Sequence, residues 1–115
     1  MRGDAAAITM GGVAWTYLVE SYSNEQTDTA ARARAAHVAA VARELREQGH
    51  TVALLGCLLV PDDEVCFWRF AGSSIAAVEA ATRRAGLDVQ RITRSVEIVE
   101  STSEPSERRE HRGAP

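Results

Sequence analysis

The sequence predicts an α+β fold in which two β-α-β units form one four-stranded antiparallel sheet. Three observations indicate this. The apolar pattern alternates between strand-like and helix-like periods in the order β-α-β-β-α-β. The chain has 115 residues, 45% of them hydrophobic and 25% charged, which is typical of a single globular domain. Residues 101–115 contain no aliphatic side chain larger than alanine and residues 1–12 are mostly small, so we expect disordered tails around a domain of residues 13–100.

The first half of the chain predicts a strand followed by a long helix. Residues 15–19 are aromatic and β-branched, which favours a strand. Asn24 and Thr27 offer side-chain oxygens for helix capping, and apolar residues then recur at helical spacing to about Gln48. Gly49 follows at the position where helices commonly stop.

A β-hairpin follows the first helix. Thr51–Val60 and Val65–Phe70 are predicted strands, and Pro61–Glu64 between them has the composition of a tight turn. Pairing Val60 with Val65 across this turn places Cys57 opposite Trp68, Leu59 opposite Cys66 and Leu58 opposite Phe67.

A second helix and a last strand complete the pattern. Ser73 or Ser74 caps the helix and Gly86 ends it, after which residues 88–99 alternate as a strand. This order is that of the ferredoxin-like fold, with both helices on one face of the sheet.

The second strand is apolar on both sides, which predicts a partner for the uncovered face. Simple alternation places one set of apolar residues on one side (Val52, Leu54, Leu58 and Val60) and another on the other side (Leu55, Cys57 and Leu59). Because a strand that is apolar on both faces is rarely solvated on either, we expect a homodimer formed by face-to-face packing of two sheets.

Charge and hydropathy exclude several classes of partner. The 13 basic residues, all arginine, are outnumbered by 16 acidic residues and form no basic arm, so no nucleic-acid partner is predicted. No apolar run approaches the roughly 18–20 residues of a membrane-spanning helix, and no signal-peptide core is present, so we expect a cytoplasmic protein. In that compartment Cys57 and Cys66 remain thiols. No glycine-rich phosphate loop or zinc spacing occurs, so no organic cofactor is evident.

Glu20 is the first candidate functional residue, because it ends a strand that is central in this fold. It is either paired with an arginine, for which Arg69 and Arg94 are the candidates, or raised in pKa and available as a base. Arg34 is the second, because it lies near the apolar face of the first helix. It either extends over the end of the helix or points into a pocket, where it would hold a carboxylate or phosphate.

Aromatic residues supply the other candidates. Trp15 and Tyr17 share one face of the first strand, and with Tyr22 and Trp68 they form either core or the wall of a site for a flat hydrophobic ligand. We therefore take Trp15, Tyr17 and Trp68, with the charged side chains of Glu20, Arg34, Arg69 and Arg94, as the candidate ligand-binding residues.

Three segments resemble a family of small, mostly actinobacterial proteins. They are Tyr17–Glu20 (YLVE), Pro61–Phe67 (PDDEVCF) and Ala85–Ile92 (AGLDVQRI). The family, formerly a domain of unknown function, is labelled nickel-binding or nickel-responsive and consists of dimeric ferredoxin-like proteins. The resemblance implies a divalent transition-metal ligand such as nickel. Gly56-Cys57 stands where many members have a histidine–serine pair. Of the three histidines His111 lies in the predicted tail, which leaves His37 and His50 as the candidate metal ligands; each is either a ligand or a solvated or capping side chain.

The leading hypothesis is a cytoplasmic homodimer that binds a small ligand or a divalent metal, nickel above all. The alternative is a cofactor-independent enzyme of the dimeric α+β barrel type, such as an isomerase, a cyclase or a monooxygenase. It would use Glu20 or His37 as the catalytic acid or base among Trp15, Tyr17 and Trp68. A regulatory or interaction module is the third hypothesis.

Overall fold

The computed structural model describes residues 14–98 and confirms the predicted ferredoxin-like α+β fold class. Its sheet has the order β2-β3-β1-β4 with every neighbouring pair antiparallel. The elements are β1 (Trp15–Tyr22), α1 (Asp28–Glu47), β2 (Val52–Val60), β3 (Val65–Gly72), α2 (Ile75–Ala85) and β4 (Asp88–Ser95). No helix within residues 14–98 is both long and apolar enough to span a membrane. The tails predicted for residues 1–12 and 101–115 lie outside the described residues.

The core lies between the two helices and one face of the sheet. Trp68, Phe70 and Val19 project from the sheet and are almost completely buried, as are Val38 from α1 and Val78 from α2. Burial of each such side chain contributes roughly 1.5–3 kcal/mol to folding, so this layer dominates stability.

Gly72 allows α2 to pack closely on the sheet. A Cβ atom at this position would lie 3.1 Å from Val78 Cγ2 and 3.4 Å from the backbone oxygen of Thr51. Because the helix side chain and the neighbouring backbone both occupy this space, a larger residue would push α2 away from β3.

Both helices begin and end at residues suited to those positions. The Thr27 side chain accepts a hydrogen bond from the backbone N–H of Ala30, and the Ser74 side chain accepts one from that of Ala77. These bonds satisfy N–H groups that have no partner inside the helix. Gly86 ends α2 with φ of 76°, a left-handed conformation that costs glycine little.

The hairpin register is the predicted one. Val60 pairs with Val65, Leu59 with Cys66, Leu58 with Phe67 and Cys57 with Trp68. Pro61–Asp63 form one turn of 3-10 helix, and Glu64 adopts φ of 54° before β3 begins.

A bulge in β2 corrects the predicted division of its side chains. The pairing shifts between Leu54 and Gly56, so that Leu55 has no partner of its own on β3. Val52 and Leu54 therefore face the helices together with Cys57 and Leu59, whereas simple alternation had grouped them with Leu58 and Val60. One extra residue reverses the alternation beyond it, so the error lay in assuming an uninterrupted strand.

The last strand is shorter than predicted. β4 ends at Ser95, whereas the alternation predicted a strand over residues 88–99. Val96 and Ile98 are strongly exposed and follow the end of the strand. Alternation continues beyond Ser95 in the sequence, but β1 pairs only as far as Thr16 with Ser95.

We predict that Ser74→Ala lowers the free energy of unfolding by about 1 kcal/mol, because it removes the cap of α2. Ser73→Ala is the matched control, since Ser73 is exposed and its backbone, not its side chain, bonds to Thr51. It should change stability by less than about 0.5 kcal/mol. Urea unfolding monitored by circular dichroism measures both, and equal losses in the two variants would contradict the assignment of Ser74 as the cap.

Candidate functional site

A small polar pocket lies at the end of β1, where the loop to α1 meets the segment that follows α2. Its volume is about 160 Å³. Ser21, Ser23, Glu25 and Arg34 contribute polar groups to its lining, Trp68 lies beside them, and residues 86–88 close the opposite side. A volume of this order accommodates a molecule of about the size of benzene.

Trp68 and Ser21 join this pocket to the core. The indole Nε1–H of Trp68 donates a hydrogen bond of 2.9 Å to Ser21 Oγ. Ser21 is only 1% exposed, and its Oγ accepts this bond from the side of the core. Because a hydroxyl group can donate as well as accept, Ser21 can also donate a hydrogen bond to a ligand in the pocket.

Ser23, Glu25 and Arg34 form a chain of charge-assisted hydrogen bonds. The Ser23 hydroxyl donates to Glu25 Oε1 at 2.6 Å, and Arg34 Nη2 donates to Glu25 Oε2 at 3.0 Å. The Glu25 side chain is 19% exposed and that of Arg34 40% exposed. Because Arg34 lies on the second turn of α1 and side chains in a helix lean toward its N-terminus, it reaches back to the loop that carries Glu25.

The electrostatics of the pocket keep Glu25 ionised. The hydrogen bond from Ser23 lowers the pKa of the Glu25 carboxyl, burial opposes this shift, and the Arg34 guanidinium lowers the pKa further. A carboxylate stabilised in this way is a fixed negative charge and a poor proton acceptor at neutral pH.

The hairpin turn holds the pocket loop in place. The backbone N–H of Ser23 donates to the backbone oxygen of Glu64 at 2.9 Å. Glu64 is in the left-handed region, and its own N–H donates to the carbonyl of Pro61. The loop after β1 and the turn between β2 and β3 therefore support one another, which orients Ser23 toward Glu25.

The structure brings two of the predicted site residues into the pocket and places the others elsewhere. Arg34 and Trp68 line it. Tyr17 is buried in the core, and Trp15 lies at the far end of β1, where Arg94 stacks on its ring with 4.1 Å from Cζ to the ring centroid.

Glu20 pairs with neither of its two predicted arginine partners. Glu20 lies on the open face of the sheet, which is the face away from the helices, with Phe67 and Arg91 as its register neighbours. Arg94 lies on the other face beside Trp15, because alternation along β4 directs it there. Arg69 shares the open face but forms an ion pair of 3.5 Å with Glu97.

The acid–base candidates of the enzyme hypothesis lie outside the pocket. Glu20 is on the opposite face of the sheet from Tyr17 and Trp68, so these three do not meet in one cavity. His37 is exposed on α1, and His50 is exposed in the turn after that helix. Within residues 14–98 no group of three or more His, Cys, Asp or Glu side chains could hold a metal ion.

The two cysteines are free thiols in different surroundings. Cys57 is exposed, whereas Cys66 is buried beside Ser21 in the register of β1 and β3. Burial, with a further contribution from the neighbouring Cys57, raises the pKa of the Cys66 thiol to about 12. Cys66 therefore stays protonated and unreactive over the physiological range.

Sequence reasoning missed Ser21, Ser23 and Glu25. The alternation of β1 gave a partial signal, because continuing it past Val19 places Ser21 on the covered face. A serine on an otherwise apolar covered face must find a hydrogen-bond partner, and here that partner is a tryptophan on β3. No sequence pattern links Glu25 to Arg34, since nine residues and a change of direction separate them.

Comparison with known proteins supports the fold. The chain matches no protein-family model and no curated protein sequence. It is similar in structure to SCO4226 from Streptomyces coelicolor A3(2), with a TM-score of 0.60 and 16% sequence identity over 74% of this chain and 99% of that chain. Fold and site together thus define a ferredoxin-like α+β protein with a small polar pocket.

We predict that Glu25→Gln destabilises the protein by about 1–2 kcal/mol at pH 7 and by less in acid. Because the folded-state pKa of Glu25 is lowered, its contribution is present above the ordinary carboxyl pKa and is lost as the pH falls through the folded value. Urea unfolding at pH 7 and pH 3 measures the difference between variant and parent.

Glu44→Gln, at an exposed position on α1, is the matched control for this experiment. It should show a small difference that changes little with pH. If Glu25→Gln destabilises the protein equally at pH 7 and pH 3, the prediction is wrong, because the ionised carboxylate of Glu25 would then not be the source of the stability.

Proposed function

We propose that this protein binds a small organic molecule that carries a carboxylate, in the pocket formed by Ser21, Ser23, Glu25, Arg34 and Trp68. The observation that carries this proposal is the position of Arg34. Its guanidinium lines the pocket and is oriented by Glu25 at 3.0 Å. A guanidinium has five N–H donors, of which Glu25 uses one within the described residues, so a planar donor pair remains for a ligand carboxylate.

Ser21 supports the same ligand chemistry. Its hydroxyl proton is a second donor in the pocket, and the hydrogen bond from Trp68 sets the position of its oxygen. Donors that are already oriented lose little conformational freedom on binding. A carboxylate placed between Arg34 and Ser21 would accept hydrogen bonds from both.

The resemblance noted in the sequence favours nickel as another ligand of this protein. His37 and His50 are both exposed, and they would need further donors to complete a site. Nickel binding therefore stays a prediction of the resemblance, while the pocket supports an organic ligand. Titration of the protein with nickel chloride in a calorimeter tests the metal separately.

We predict that hexanoate shifts the indole N–H signal of Trp68 in a ¹H–¹⁵N NMR titration, because the indole bonds to Ser21 beside the carboxylate. The chain has two tryptophans, and Trp15 at the far end of β1 serves as the internal control. Arg34→Gln should weaken binding at least tenfold, which corresponds to about 1.4 kcal/mol.

Arg43→Gln, an exposed change on the same helix, should leave this affinity unchanged. If Trp68 does not respond to hexanoate at any concentration, or if Arg34→Gln binds as tightly as the parent, the proposed carboxylate site is wrong. Circular dichroism of both variants confirms that the helices are retained.

We also propose that the protein is a homodimer formed through the open face of the sheet. This face carries a continuous set of apolar side chains, namely Leu18, Leu58, Val60, Val65 and Phe67. Leu58 is 64% exposed in one copy of the chain. Burying such a surface against a second copy would stabilise the pair through the hydrophobic effect. A two-fold axis would let both copies use this same face of the sheet in the interface.

We predict that Leu58→Glu converts the dimer to a monomer, because it would place a charge in an apolar interface. Size-exclusion chromatography with light scattering measures the mass. Ile75→Glu is the matched control, since Ile75 is also exposed but begins α2 in the helical layer. A monomeric parent protein, or a dimer that survives Leu58→Glu, would contradict this interface.

A further inference from the structure

The ion pair in the pocket presents both signs of charge side by side. Glu25 Oε2 and Arg34 Nη2 lie 3.0 Å apart, and both residues line the pocket. Both side chains also remain partly exposed, so folding has not closed the pair off from small molecules. A ligand that reaches the Arg34 guanidinium therefore meets the Glu25 carboxylate as well.

The Glu25 carboxylate has acceptor capacity left for a ligand. An ionised carboxylate offers about four lone-pair sites on its two oxygens. Within residues 14–98, the Ser23 hydroxyl donates to Oε1 and Arg34 Nη2 donates to Oε2. Each oxygen thus keeps a site that can accept a hydrogen bond from an N–H or O–H group in the pocket.

Ser23 holds Glu25 in position before any ligand arrives. Its hydroxyl bonds to Glu25 Oε1 at 2.6 Å, its side chain is buried, and its backbone N–H bonds to Glu64. An acceptor that is already oriented loses little conformational freedom on binding. The negative charge of Glu25 is therefore a fixed part of the pocket wall, in the same way as the positive charge of Arg34.

A ligand that carries only a negative charge matches this lining in part. Its carboxylate would gain the attraction of Arg34 but would also lie near Glu25, and like charges at such separations repel. The exposed Asp88 adds a second carboxylate to the lining. A cationic group beside the ligand carboxylate removes this repulsion, because the charges of ligand and protein then alternate in sign around the contact.

We propose that the ligand is an α-amino acid, with its carboxylate on Arg34 and its ammonium group on Glu25. This inference rests on the proposed function of the pocket and adds a second charge to the ligand. Both groups of an α-amino acid are attached to one carbon, so they lie side by side as the Glu25 and Arg34 side chains do. The pocket volume of about 160 Å³ favours an amino acid with a small side chain.

Three probes of the same chain length test the position of the second charge. Hexanoate has the carboxylate alone, L-norleucine adds an amine on the carbon next to the carboxylate, and 6-aminohexanoate adds it at the other end of the chain. We expect norleucine to bind about tenfold more tightly than hexanoate, because its ammonium group forms a charged hydrogen bond with Glu25. The isomer 6-aminohexanoate should not share this gain. The NMR shift of the Trp68 indole gives each dissociation constant.

Glu25→Gln tests the residue that accepts the ammonium group. The ratio of the hexanoate to the norleucine dissociation constant should fall from about ten to near one, because the amide has no charge. The ratio is the appropriate measure, since any change in the position of Arg34 affects both ligands. Glu44→Gln removes the same charge from an exposed position on α1 and should leave the ratio unchanged. Circular dichroism confirms that both variants are folded.

Failure of this inference and failure of the proposed function give different results. If hexanoate shifts Trp68 but norleucine binds no more tightly, the ligand is not an α-amino acid and the carboxylate site stands. If 6-aminohexanoate gains as much as norleucine, or if Glu25→Gln keeps the ratio of the parent protein, Glu25 does not bind the ammonium group and the inference is wrong. If no probe shifts Trp68, the proposed function fails and this inference fails with it.

Discussion

The hydrogen bond from Trp68 to Ser21 connects the stability of this protein to its candidate site. The indole ring fills the core between the helices and the sheet, while its single polar atom reaches β1 where that strand ends. A buried N–H without an acceptor would cost several kcal/mol, so a core built around this tryptophan requires a polar partner at that position. Ser21 supplies it, and in doing so brings a hydroxyl group to the edge of the pocket.

The two faces of the sheet carry different features of the molecule. The covered face carries the core and, at one end, the pocket with its guanidinium and carboxylate. The open face carries an apolar surface around Leu58 and Phe67, bordered by the ion pair of Arg69 and Glu97. Because residues on a strand alternate between faces, neighbouring residues of the same strand belong to different parts of the protein, as Glu20 and Ser21 do.

Much of the fold could be predicted, because it depends on local chemistry. Caps such as Ser74 and stops such as Gly86 act within one helical turn, and the hairpin register follows from a short turn between complementary strands. The division of β2 between the two faces could not be predicted, since the bulge at Leu55 depends on how β2 pairs with β3. The candidate site was predicted only in part, through Arg34 and Trp68.

The sequence by itself determined the order of the elements and, apart from the end of β4, their approximate limits. It marked Arg34 as a candidate but left open where its side chain points. Apolar periodicity and capping are properties of neighbouring residues, so these features are readable without a structure. Only the tertiary structure decided which charges meet. It placed Arg94 over the ring of Trp15 and Arg34 beside Glu25, because cation–π contacts and ion pairs form between side chains that folding brings close together, wherever they stand in the chain.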